Sequence, residues 1–145
     1  MAFRFNMQRV LDYREQLEEE AKVRLARALQ AQLEAKQRLE SLEAQLREAR
    51  KTARETLLRD AAERWLHEGY VKGLSGDVKA AALQVQMTGA MVDEARKLLT
   101  ERSIDKKILD KLKVRKRDQY RHDERMREQH ANDETATLRY KSPTF

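Results

Sequence analysis

The sequence contains no cysteine, which excludes disulfides, thiolate metal sites and cysteine nucleophiles. One proline and four glycines in 145 residues are too few for a sheet protein, which needs turn residues every 8–12 positions or so. Aromatics make up only 6%. No apolar run approaches the roughly 20 residues of a membrane span. Met1 to Asn6 leads into charged sequence rather than an apolar core, which predicts no secretory signal. What remains is 39% charged and 40% apolar, rich in Ala, Leu, Glu, Lys, Arg and Gln, with a mean hydropathy of −0.91. That is the balance of long helices with a thin apolar seam. The length allows one domain.

The net charge is +6, from 31 basic and 25 acidic residues. The excess belongs to residues 96–145, with 15 basic and 9 acidic. Its densest part is Lys111, Lys113, Arg115, Lys116 and Arg117. At about 100° per residue a helix spreads these around its circumference. They read as solvated helix surface, with a polyanion site and an acidic protein partner as the open alternatives.

From Ala21 to Ala53 the spacing alternates four and three through Leu25, Ala28, Gln32, Ala35, Leu39, Leu42, Leu46 and Ala49. Only Gln32 is polar, so this is a heptad seam sustained over more than four heptads. Phe3, Met7, Val10, Leu11 and Leu17 extend it upstream in weaker phase. One helix is predicted over about 6–68. Gly69, Gly73 and Gly76 then predict a turn over about 69–77, because glycine ends helices cheaply. Ser75 or Asp77 is the expected cap of the next helix. A second seam, Val78, Ala81, Val85, Thr88, Val92, Ala95 and Leu99, opens a helix over about 78–138. Ile104, Ile108, Leu109 and Leu112 predict a phase shift near Arg102. Residues 139–145, with Pro143, are expected to be disordered. The fold expected is all-α: a single-domain, long antiparallel two-helix coiled-coil hairpin with arms of about 60 residues and a monomeric state.

Little in the sequence carries reaction chemistry. His67, His122 and His130 complete no metal motif, although His130 and Glu134 share a helix face. The glycines do not form a phosphate-binding loop, and a thin hairpin offers no water-excluding cavity. No enzyme activity, metal or cofactor is expected. Binding is. Trp65, Leu66, Tyr70, Val71 and Leu74 either cap the core at the turn or expose an aromatic anchor. Phe3, Phe5 and Met7 either staple the helix pair or insert into a collar. Three classes stay open on this basis: a protein-interaction rod, a nucleic-acid binder and a membrane-surface helix. Scattered aromatics weigh against the second. Interleaved acidic residues along the chain weigh against the third.

The order of these features resembles the FliJ family of flagellar type III export proteins. The opening Phe3-Arg4-Phe5-Asn6-Met7, with Val10 and Leu11, is similar to the family's amphipathic start. Arg64-Trp65-Leu66 with Tyr70 and Leu74 is similar to its aromatic segment. Leu109-Asp110-Lys111-Leu112-Lys113, Tyr120, Glu128, Asp133-Glu134 and Arg139-Tyr140 follow its basic-then-acidic ending. The glycines and the Ala-rich first helix depart from the pattern. The resemblance implies a non-enzymatic, stalk-like coiled coil of the cytoplasm, peripherally held at the membrane at the flagellar base. Implied partners are the export ATPase, the export-gate membrane protein and export chaperones, with no nucleic acid. Gate binding falls on Leu42, Trp65, Tyr70 and Leu74, and ATPase-ring binding on Phe3, Met7, Leu11, Lys113, Arg117 and Arg121. A nucleic-acid-binding basic coiled coil and a generic structural adaptor are the alternatives.

Overall fold

The computed structural model describes residues 2–55 and 60–141. Two helices account for nearly all of them: α1, Gln8–Glu55, of 48 residues, and α2, Ala61–Lys141, of 81. They pack antiparallel against each other as a helical hairpin, and there is no strand among the described residues. The chain divides into two compact units, each built from both helices.

The unit Glu19–Thr100 holds the apolar seam. Ala28 packs with Val92 and Ala95, and Leu25 against them. Leu46 and Ala49 pack with Leu74, flanked by Leu42, Val71 and Val78. Every seam position from Ala21 to Ala49 is buried or half-buried, and so is every one from Val78 to Leu99. Ala53 is exposed. Gln32 sits in the seam with its Nε2 beside Gly89. Alanine layers bring the helices close but bury little area each, so the apolar contribution per turn is small.

The predicted turn over 69–77 is overturned, and with it the boundaries 6–68 and 78–138. Gly69, Gly73 and Gly76 lie inside α2, and none takes a positive φ. The true connection lies between Glu55 and Ala61. Asp60, not Ser75 or Asp77, caps α2: its Oδ1 accepts the Ala62 amide at 3.3 Å, and its carbonyl accepts the Arg64 amide at 3.1 Å. Glu63 adds negative charge in the first turn. Glycine in a helix costs about 1 kcal/mol relative to alanine. Burial of Val71, Leu74 and Val78 in one unbroken phase outweighs that. The arms are therefore unequal, 48 and 81 residues, rather than matched. Arg139 to Lys141, expected in the tail, are helical. Residues 142–145, with Pro143, lie outside the described residues.

The other unit comprises Met1–Glu18 and Glu101–Phe145. Here the seam is polar. Leu11 and Leu109, each 2% exposed, are its apolar points. The three-four spacing then passes through Arg14 and Glu18 on α1, and through Arg102 and Lys106 on α2. The Arg14 guanidinium donates to the Asp105 carbonyl at 2.7 Å. Lys106 Nζ lies 3.4 Å from Glu18 Oε1. The phase shift expected near Arg102 is absent, because Ile104 and Ile108 are more than half exposed while the regular spacing holds.

Candidate functional site

Two surfaces collect the residues that sequence reasoning singled out, one on each unit. On Glu19–Thr100 the four gate-binding candidates divide. Leu42 and Leu74 belong to the apolar core around Leu46 and Ala49. Trp65 and Tyr70 are exposed, at 73% and 55%. The cluster is split by packing: Val71 and Leu74 line the core, while Trp65, Leu66 and Tyr70 face solvent. His67 joins the two sets. Its Nε2 donates to the Ala49 carbonyl at 2.9 Å, and its ring lies 6.4 Å from that of Tyr70.

The same unit carries a second stripe, distinct from the seam. Ala62, Leu66, Gly69, Gly73, Gly76, Ala80, Leu83, Met87 and Ala90 follow the four-three spacing without one charged residue, in a chain that is 39% charged. All nine are exposed. They lie on the outer side of α2, away from the seam residues Val71, Leu74 and Val78. A Cβ added at Gly69, Gly73 or Gly76 would meet nothing within 4 Å. The chain's own packing therefore makes no use of their small size. The signal that marks this stripe in the sequence is a second heptad phase in the same helix, masked by the helix-breaking tendency of glycine.

On the other unit, the residues before α1 fold over α2. The Phe3 and Tyr120 rings stand 5.7 Å apart, tilted by 46°. With Phe5, Met7, Leu112 and Lys116 they line an open groove of about 410 Å³. Of the ring-binding candidates, Phe3 is half-buried in this groove and Met7 is on its exposed rim. Leu11 is buried in the seam and unavailable to a partner without opening it. Lys113 is half-buried, and Arg117 and Arg121 are exposed. The Tyr120 hydroxyl hydrogen-bonds the Glu124 carboxylate one turn on, which holds the phenol above its ordinary pKa. Partial desolvation and the Glu124 charge act in the same direction, and Arg127 opposes them.

Among the described residues there is no cluster of three or more His, Asp or Glu placed to hold a metal, and no helix is long and apolar enough to cross a membrane. Fold and surfaces together define an all-α helical hairpin with exposed aromatic and uncharged helix faces. A family model described as flagellar FliJ protein matches residues 3–144, nearly the whole chain. The chain belongs to the FliJ family and is a flagellar export component. No curated protein and no solved structure matches it.

Proposed function

We propose that the protein is a non-enzymatic stalk and adaptor of the flagellar export apparatus. In this reading the Phe3–Tyr120 groove, with Met7, Arg117 and Arg121, meets the export ATPase ring. Trp65 and Tyr70, beside the uncharged outer stripe of α2, meet the cytoplasmic part of the export-gate membrane protein. Export chaperones are transient clients. The chain works as a monomer, peripherally held at the membrane at the flagellar base.

The observation that carries the reading is the exposed aromatic pair next to a charge-free helix face. Exposed Trp and Tyr are the residues from which interface energy is most often built, and in water such a face has little reason to persist without a partner. Leu42, Leu74 and Leu11 enter as supports that position these surfaces. The test is binding and stimulation by the purified chain of its cognate export ATPase, and binding of the gate protein's cytoplasmic part, at moderate salt. Loss of gate binding in Trp65→Ala/Tyr70→Ala with helicity retained is the expected result. Absence of binding to either partner by the unaltered protein would end the proposal.

A further inference from the structure

Ile104 and Ile108 take no part in the hairpin core: they are 52% and 56% exposed. Ile104 stands about 140° around α2 from the buried Leu109, and so on the outer side of the helix. Lys107, Lys111 and Arg115 are exposed on that same face. They belong to the most unbalanced stretch of the chain. Residues 106–117 hold seven basic residues against one acidic, Asp110, an excess equal to the whole protein's net charge of +6. Lys106 is engaged by Glu18, and Lys113 is half-buried. The other five are exposed. Acidic residues interleave with basic ones along the chain as a whole, but not here.

We propose that this face docks on a bilayer surface carrying anionic headgroups. Ile104 and Ile108 enter the boundary between headgroups and acyl chains. Lys107, Lys111 and Arg115 meet the lipid phosphates, their aliphatic stems lying along the interface. A partner helix is a poorer occupant, because the apolar line is only two residues long before Lys111 and Arg115 interrupt it, and a helix seam needs three to four heptads. Nucleic acid or an acidic protein would match the charge but leave the two isoleucines without a use. Three cations and two apolar anchors give weak, reversible, salt-sensitive attachment. The proposal does not depend on the ring and gate contacts.

The experiment is co-sedimentation of the full-length protein with phosphatidylcholine vesicles, with and without phosphatidylglycerol. Sedimentation is expected only with phosphatidylglycerol, and it should fade as salt rises. Ile104→Ser/Ile108→Ser, at exposed positions, should keep its helical circular dichroism and its retention on heparin while vesicle binding falls about tenfold. Lys107→Gln/Lys111→Gln/Arg115→Gln should weaken both. Two results would overturn the proposal. One is no phosphatidylglycerol-dependent sedimentation at low salt. The other is unchanged vesicle binding by the isoleucine variant, which would reassign the charge to a protein or nucleic-acid polyanion.

Discussion

Lys106 on α2 reaches Glu18 on α1 across the seam, Nζ to Oε1 3.4 Å, with side chains 28% and 10% exposed. Where the unit Glu19–Thr100 puts alanine and leucine between its helices, this layer puts a charge pair. Buried pairs of this kind add little net stability, because desolvation offsets their attraction, but losing one partner leaves the other's charge less well compensated. Lys106→Ala should therefore cost about 1–3 kcal/mol. Glu18→Leu/Lys106→Leu should recover most of it or exceed the starting stability. Urea unfolding of the single and double variants checks both.

The three α2 glycines give a prediction of opposite sign from the one a turn would give. Each has helical backbone and open space where a Cβ would go. Gly69→Ala/Gly73→Ala/Gly76→Ala should raise stability by about 0.5–1 kcal/mol per site and increase helicity. A fall in melting temperature would mean that the chain bends there.

Leu74 and Tyr70 are four residues apart and should behave differently. Leu74 is 6% exposed in the core, so Leu74→Ala should cost about 2–4 kcal/mol by thermal unfolding. Tyr70→Ala and Trp65→Ala remove exposed side chains and should stay within about 0.5 kcal/mol. Any loss of partner binding in those two variants is then a contact effect.

Tyr120 should ionise above the ordinary phenol range, because its bond to Glu124 favours the neutral phenol. A phenol held above its unfolded pKa contributes stability that is present below that unfolded value. The contribution is lost as pH climbs through the raised one, so it matters only in strongly alkaline solution. Glu124→Gln should bring the Tyr120 titration down toward its ordinary value, read by ultraviolet difference absorbance or ring NMR shifts.

The apolar seam was legible because heptad spacing maps directly onto burial: Ala28, Leu46, Val92 and Ala95 all fall where the periodicity puts them. The connection was not, and the reason is a competition between signals. Three glycines advertise a turn, yet Val71 and Leu74 keep the seam in phase through them. The better marker was Asp60-Ala61-Ala62-Glu63, an N-cap with an acidic residue three positions on. The polar layers were invisible for a similar reason. A search for apolar residues steps past Arg14, Glu18, Arg102 and Lys106, although their spacing is as regular as the alanines'. For the same reason it assigns Ile104 and Ile108 to a core they do not enter. The aromatic surface was half legible: residue type marked Trp65 and Tyr70 as candidates, but only packing separates them from Leu74.

From Arg125 to Tyr140 every residue of α2 is exposed, and no described segment packs against it. Sixteen residues of helix without a tertiary partner sit near the helix–coil midpoint in water. Their amides should exchange with solvent much faster than those around Leu46 or Val92. A partner that grips this segment must stop it melting and so forgoes part of its binding energy. Any complex made through this segment should therefore be weaker than the contact area alone would give.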